Sequence, residues 1–317
     1  MNEFEIIQRY FQQSTEQYDH KVIVGIGDDA AVINPPQDKR LVLCMDTLVS
    51  GVHFPSDTSA EDIAYKSLAV NLSDMAAMGA TPHWITLSLT TPEFKSAWYE
   101  QFAESIHNLA NEYSLKLVGG DLSRGPLSVT IQLQGLISMS KCLLRSGAKA
   151  GDDIYVSGEL GAAAYALNSI MEPEKWKTAT SKELLRLNRP SARIELGQRL
   201  LSRATSCIDI SDGLYADLNH ILKASHVGAE LQIENIPLSL SLQNLKEQAA
   251  YELAITGGDD YELCFTLPEN ISAEFLKELN ALCPISKIGK IDNGNRLVFK
   301  HKDNSEMIFS QNGYKHF

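Results

Sequence analysis

Apolar positions alternate between helical and strand-like spacing along the whole chain, and this pattern predicts an α/β protein. Helical spacing runs through Phe4, Ile7 and Phe11 over residues 3–13. Short apolar runs predict strands over 22–26, 41–46, 84–90, 115–118 and 128–138. A helix is expected over 60–78, opened by a Ser59-x-x-Asp62 capping box and closed by Gly79. Another is expected over 95–112. A small-residue stretch, Ser146-Gly147-Ala148-Lys149-Ala150-Gly151-Asp152, precedes the strand Ile154-Tyr155-Val156. The domain boundary is placed there, giving residues 1–148 and 149–317. Beyond it, Ser157-Gly158-Glu159-Leu160-Gly161 reads as a structural turn into an alanine-rich helix. Pro190 predicts a helix over 191–203. Helices are also expected at 214–226 and 271–281, and strands near 206–209, 230–233, 261–266, 285–290 and 296–300. Residues 171–189 read as a loose polar excursion.

The 317 residues exceed one small core and suit two domains. A net charge of −12 with no basic stripe argues against a general nucleic-acid binder. The apolar runs are shorter than the ~18 residues of a membrane span. The N-terminal Met1-Asn2-Glu3-Phe4-Glu5 is acidic where a secretory signal is basic. The five cysteines, Cys44, Cys142, Cys207, Cys264 and Cys283, are widely spaced and form no C-x-x-C. Reduced thiols and a cytoplasmic protein are therefore expected.

Candidate chemistry begins at Val22-Ile23-Val24-Gly25-Ile26-Gly27-Asp28-Asp29-Ala30. Its start resembles a dinucleotide-binding loop, but such a loop must open a helix. Here Ala31-Val32-Ile33 is β-like and Asn34-Pro35-Pro36 ends regular structure. A plain Asp/Gly β-turn remains the alternative. Further acids recur in comparable settings. Asp46 is read as ending its strand, and Asp121 as following a strand that runs into the glycine turn Gly119-Gly120. Asp74 lies in an almost wholly apolar helix, one turn after Asn71 on the same face. Asp209 and Asp212 lie in Cys207-Ile208-Asp209-Ile210-Ser211-Asp212-Gly213, and Asp259 and Asp260 in Gly257-Gly258-Asp259-Asp260-Tyr261. Any one of these could be a turn former, and Asp212 alone could cap a helix. Their number points elsewhere. Recurrent carboxylates with few nearby His or Cys suit a hard cation, Mg²⁺ before Zn²⁺. Mg²⁺ would let paired aspartates face phosphates. No Walker A or protein-kinase motif set is present.

Several blocks, in order and over nearly the whole chain, resemble thiamine-monophosphate kinases. They are Gly25–Ala31, Asp46-Thr47-Leu48-Val49-x-Gly51-x-His53-Phe54, Ala69–Ala80, Gly119-Gly120-Asp121 and Arg145–Ala148. Asp209–Leu214, Gly257–Leu263 and the final Gly313-Tyr314-x-His316-Phe317 complete the set. The resemblance implies the two-domain fold of the aminoimidazole ribonucleotide synthetase superfamily. Its N-terminal ATP- and Mg²⁺-binding domain would dimerise through its sheet, beside a C-terminal α/β domain. It implies a homodimer that uses ATP and several Mg²⁺ ions to phosphorylate thiamine monophosphate directly, the last step toward thiamine diphosphate. Asp29, Asp46, Asp74, Asp121, Asp209 and Asp212 would bind metal. Gly120, Asp121, Arg145 and Ser211 would contact ATP, and His53, Asp259 and Tyr314 would line the substrate pocket. No residue is assigned as acid or base.

Two positions depart from the family pattern. Cys44 and Met45 stand where hydroxyl residues are usual, so a hydroxyl ligand is lost there, although backbone carbonyls could still serve. Asp259 stands where the longer Glu is common. Other superfamily activities fit less well. Selenophosphate synthesis needs a reactive Cys or selenocysteine and a Lys near the N-terminus, yet no cysteine precedes Cys44. The hydrogenase-maturation protein that dehydrates a carbamoyl thioether needs a C-terminal Cys, yet the sequence ends Lys315-His316-Phe317. A Mg²⁺ or nucleotide sensor would bind ATP without consuming it.

Overall fold

The computed structural model describes residues 2–12, 21–309 and 313–314. It divides the chain into two units, Met1–Met75 with Ala80–Lys141, and Ala76–Gly79 with Cys142–Phe317.

The first unit begins with α1 (Glu3–Ile6), which widens into a π-helical turn over Ile7–Phe11. Position 13 of the expected helix lies outside the described residues. β1 (Val22–Val24) and β2 (Val32–Ile33) form a hairpin. Then follow β3 (Lys39–Val49), α2 (Ala60–Met78), β4 (Thr81–Thr91), α3 (Ser96–Glu112), β5 (Lys116–Arg124) and β6 (Ser128–Ser138). The sheet order is β3-β6-β4-β5, antiparallel except for the parallel β4–β5 pair. The Asp62 N–H donates to Ser59 Oγ at 3.1 Å, so the expected cap forms.

Two strands outrun their apolar signals. β3 continues past Asp46 to Val49, so Asp46 is mid-strand and does not end it. β5 continues through Gly119, Gly120 and Asp121, where a glycine turn was expected. Both segments keep pairing because a neighbour matches them residue for residue, Asp46 opposite Ile131 and Asp121 opposite Ser88. Ladder hydrogen bonds override local turn propensity there.

The second unit comprises β7 (Asp153–Ser157), α4 (Ala162–Met171), α5 (Ser181–Asn188), α6 (Ile194–Leu200), β8 (Ser206–Asp209), α7 (Leu214–Ser225) and β9 (Gly228–Gln232). α8 (Glu247–Thr256), β10 (Leu263–Leu267), α9 (Ala273–Leu282), β11 (Ile285–Asp292) and β12 (Leu297–Lys300) follow. Its sheet order is β12-β9-β11-β7-β10-β8. β7 and β10 are buried along their whole length, as strands covered on both faces must be. One face packs Ile154 and Val156 against Ala163 and Ala166 of α4, Leu218 and Ile221 of α7 and Ala254 of α8. On the other face Tyr155 stacks on Phe265 at 5.7 Å.

The 171–189 excursion is not wholly irregular. Thr180 and Glu183 build a capping box for α5, whose short apolar face was too brief to read as a helix. α8 was also missed, its apolar positions diluted by polar ones. Asp212 does not cap α7. Gly213 occupies that position with no side-chain bond. No helix among the described residues is long and apolar enough to cross a membrane.

Candidate active site

In the first unit the Gly25–Ala31 loop joins the two strands of the hairpin and opens no helix. Asp28 folds back to accept the Asp29 N–H at 2.9 Å, and both acids are exposed. A cavity of about 780 Å³ lies between this loop, Phe4 and Phe11 of the N-terminal segment, and the Gly119–Leu122 stretch of β5. Asp29, Gly120 and Asp121 therefore line one space. A Cβ on Gly120 would sit 2.0 Å from the Leu87 carbonyl oxygen, so only glycine fits. The Asp121 carboxylate accepts from Ser123 Oγ at 2.9 Å.

Asp46 lies on the other face of this sheet. Register places Asp46 with Ile131 and Leu87, both buried, whereas Asp121 aligns with Ser88, Thr130 and Thr47. The Thr47–Thr130 hydroxyl contact of 2.8 Å marks the second face. Asp46 meets Asp74 of α2. Burial pushes the Asp46 carboxyl above its ordinary range, and its hydrogen bond with Asp74 opposes that shift. Two carboxyl groups in such contact must share a proton or a cation. Cys44, two residues back on the same face, donates its thiol to the Asn71 carbonyl at 3.4 Å. Met45 points to the opposite face and is 62% exposed. His53 follows β3 in a tight turn. Its Nδ1 accepts the Val49 N–H at 3.0 Å, which leaves the proton of the neutral ring on Nε2.

In the second unit β8 delivers buried Asp209 into the 210–213 loop. Asp217, which sequence reasoning overlooked, organises that loop. Its carboxylate accepts the N–H groups of Ser211 and Asp212, each at 3.0 Å. Burial first, then the like charges of Asp209 and Asp212, push its pKa up to about 8. An acid in the first turn of a helix reads as a dipole partner, which hid this role.

The 257–262 segment lies against the same loop. The Asp259 N–H donates to the Ser211 carbonyl at 2.9 Å, and the Tyr261 N–H to that of Ile210 at 2.8 Å. Asp259 (φ 68°) and Tyr261 (φ 50°) are both left-handed without being glycine. Each such residue costs about 1–3 kcal/mol, so the surroundings must hold them. The Tyr314 N–H donates to the Asp212 carbonyl at 3.1 Å, with its side chain half exposed. Ser211, Asp212, Asp259 and Tyr314 are thus adjacent. Arg145 is exposed on a segment that Ser225 anchors through the Gly147 and Ala148 N–H groups, each at 3.1 Å.

The donor set is entirely oxygen. Among the described residues no three His, Cys, Asp or Glu side chains converge tightly enough to hold a metal on their own. That arrangement fits Mg²⁺, which takes one or two carboxylates and completes its shell with water and phosphate oxygens. The close Asp46–Asp74 pair is met by either a shared proton or a cation.

Residues 27–137 match the AIR synthase related protein, N-terminal domain, and residues 149–302 its C-terminal domain. Thiamine-monophosphate kinase of Escherichia coli K12 is 43% identical over 99% of this chain and 98% of its own length. That of Bacillus subtilis is 36% identical over the full length of both. The solved thiamine-monophosphate kinase of Stenotrophomonas maltophilia K279a superposes with a TM-score of 0.87 at 40% identity, covering 97% of this chain and 98% of that one. AaThiL complexed with AMPPCP and TMP gives 0.77 at 30% identity, with 89% of each chain covered. Escherichia coli HypE, a hydrogenase maturation protein, gives 0.77 at 15% identity over 99% of this chain and 97% of that one, and shares the fold alone. The chain belongs to the thiamine-monophosphate kinase family, within the AIR synthase related proteins.

Proposed function

We infer that the chain transfers the γ-phosphoryl group of ATP to thiamine monophosphate, producing thiamine diphosphate. The observation that carries this reading is full-length identity to thiamine-monophosphate kinases, joined by a related structure that holds both AMPPCP and TMP. Its test is a coupled assay of ATP consumption with thiamine monophosphate. The purified protein should turn over with the monophosphate and far more slowly with thiamine.

The assignment of residues follows the acidic geometry. Asp29, Asp46, Asp74, Asp121, Asp209 and Asp212 would hold Mg²⁺. Ions held by these residues would neutralise phosphate charge during the transfer. Gly120, Asp121, Arg145 and Ser211 hold ATP, and the cavity shared by Asp29, Gly120 and Asp121 supports this. His53, Asp259 and Tyr314 hold the acceptor, and the backbone links joining Asp259 and Tyr314 to the 211–212 loop support that role. Residues 1–148 form the ATP- and metal-binding domain in this reading, and 149–317 the second α/β domain.

The acceptor needs no protein base. The second ionisation of a phosphate monoester lies near about pH 6, so its oxygen is already a nucleophile at neutral pH. Catalysis then rests on positioning and charge neutralisation. Rapid quench with γ-labelled ATP should find no label on the protein before acceptor is added.

We also propose a homodimer formed through the first sheet. Leu41, Leu43 and Met45 alternate along one face of β3, 50%, 60% and 62% exposed, an apolar stripe that a second copy would cover. Sedimentation at micromolar concentration should give twice the chain mass, and Leu43→Glu should give the monomer. A cytoplasmic location suits the five free cysteines.

A further inference from the structure

Glu262 belongs to none of the roles assigned above, yet it is among the most constrained side chains of the second unit. It is fully buried, and its carboxylate collects four donors. Arg186 Nη2 reaches Oε1 at 2.7 Å, and Arg193 Nη2 reaches the same oxygen at 2.5 Å. Arg193 Nε reaches Oε2 at 2.7 Å, and Ser157 Oγ reaches it at 2.5 Å. The same Ser157 oxygen accepts the Leu263 N–H at 2.9 Å, which locks the strand on the C-terminal side of Glu262. Gly158 makes room for the carboxylate. It has φ +60°, and a Cβ there would lie 2.1 Å from Glu262 Oε1.

This buried knot sits three residues from Asp259, at the end of the segment that carries two left-handed non-glycine residues. The preceding acid is tied down as well, Asp260 accepting the Gly161 N–H at 3.0 and 2.9 Å. The Glu262 carbonyl accepts the Ile210 N–H at 2.8 Å, and the Asp259 N–H donates to Ser211 at 2.9 Å. Glu262 is therefore connected through the backbone to both the 257–261 turn and the 210–212 loop. Its arginines come from elsewhere in the sequence, Arg186 from α5 and Arg193 from the start of α6. Four donors match the acceptor sites of an ionised carboxylate and compensate its burial. Two guanidinium groups and a hydroxyl fix its position in every direction.

We propose that Arg186, Arg193 and Ser157 act through Glu262 as positioning residues for the acceptor, setting the backbone of the 257–261 turn so that Asp259 reaches thiamine monophosphate. The idea rests on the kinase reading and on Asp259 as an acceptor contact. It also accounts for the shorter Asp259 side chain at a position where the family commonly has Glu: a short carboxylate tolerates less drift of the turn beneath it.

The experiment uses the full-length protein and Arg186→Met, which removes one guanidinium but leaves Glu262 paired with Arg193, so no buried charge is stranded. KM and kcat are measured separately for thiamine monophosphate and for ATP. The expected result is a KM for thiamine monophosphate raised about tenfold, with the KM for ATP within about twofold of wild type. Arg186→Lys, which retains the charge and one donor, should recover part of the loss. The deciding arm is a double-mutant cycle with Asp259→Ala. If Arg186 works through Asp259, Arg186→Met changes the acceptor KM by less than about twofold once Asp259 is gone. Full additivity of the two losses, or an equal rise in both KM values, overturns the proposal. Should Arg186→Met not fold, Ser157→Ala takes its place with the same criteria. Absence of turnover in the wild-type protein would instead refute the kinase reading itself.

Discussion

One pair of acids from each unit shows two opposite ways of holding a carboxylate. In the first, Asp46 and Asp74 sit inside regular structure, one mid-strand and one mid-helix, with no turn between them and the frame. In the second, Asp212 and Asp259 sit on loops whose backbones are tied to each other and to buried side chains. The first arrangement is rigid by construction and its cost is electrostatic, since burial opposes charge on Asp46 and the hydrogen-bonded pair resists carrying a second charge once their shared proton is lost. The second has a conformational cost, offset by Asp217, Asp260 and Glu262. Removing an acid should therefore have different consequences on the two sides. On the strand and helix it should remove chemistry and relieve repulsion. Among the loop supports it should loosen the backbone.

The largest effect is expected for Asp74→Asn. With one member of the Asp46 pair neutral, the proposed cation site would be lost, and turnover should fall by about a thousandfold or more. The same change relieves the repulsion, so metal-free protein should melt at a higher temperature than wild type. A variant that keeps most activity, or that melts lower, contradicts the rigid-frame account. Chelating Mg²⁺ from wild type should reproduce the activity loss, and adding it back should reverse it.

Asp260→Ala probes the other side. It strands the Gly161 N–H at the start of α4, a loss of about 1–3 kcal/mol by denaturant unfolding. Burial holds the Asp260 carboxyl well above its ordinary range, so Asp260→Asn, which keeps a carbonyl acceptor, should lose much less. Equal losses for the two variants would mean that the N–H contact does not support the turn.

How much of this was legible in the sequence divides along the same line. The α2 helix with its Ser59 cap, the strand content and the family of the chain could all be read from pattern and motif. The extent of β3 and β5 could not, because ladder pairing with β6 and β4 carries both strands through residues that look like terminators. Nor could the division of acids between the two faces of one sheet, because a side chain's face depends on register that begins far away. Asp217 and Glu262 were missed for a common reason. An acid whose partners are backbone N–H groups or distant arginines leaves no local spacing to detect. α5, hidden in a polar stretch, brings one of those arginines.

A smaller effect is expected from pH. The Asp217 pKa rises from 3.8 to about 8 on folding, so the folded state binds its proton more tightly than the unfolded state. That contribution to stability is complete below the unfolded value and is lost as pH rises through the folded one. The melting temperature of metal-free protein should therefore decline between pH 4 and pH 8. Asp217→Asn should flatten the decline. Mg²⁺ with ATP should flatten it too, because positive charge beside Asp209 and Asp212 weakens the repulsion they exert on Asp217. A slope that survives Asp217→Asn unchanged would assign it to other groups.

The smallest effect concerns the departure at Cys44. Its thiol donates to the Asn71 carbonyl and lies on the face that carries Asp46, close to where the Asp46–Asp74 pair would hold a cation. Sulfur as a neutral thiol is a poor donor to a hard ion, and oxygen is preferred. Cys44→Ser keeps the size and the hydrogen bond while supplying the hydroxyl usual in the family at this position. If the acid pair is a Mg²⁺ site, this change should lower the half-saturating Mg²⁺ concentration by about two- to threefold, since one added neutral oxygen ligand is a modest gain beside two carboxylates. kcat at saturating Mg²⁺ should stay near wild type. Met45→Ser serves as the control, because Met45 faces the opposite side of the sheet and its hydroxyl would approach no acid of this pair. The comparison separates a ligand effect from a general effect on β3. A fall in Mg²⁺ requirement for Cys44→Ser alone places the cation on the helix-covered face. Equal shifts in both variants, or none in either, would leave Asp46 and Asp74 as a proton-sharing pair with no direct part in metal binding.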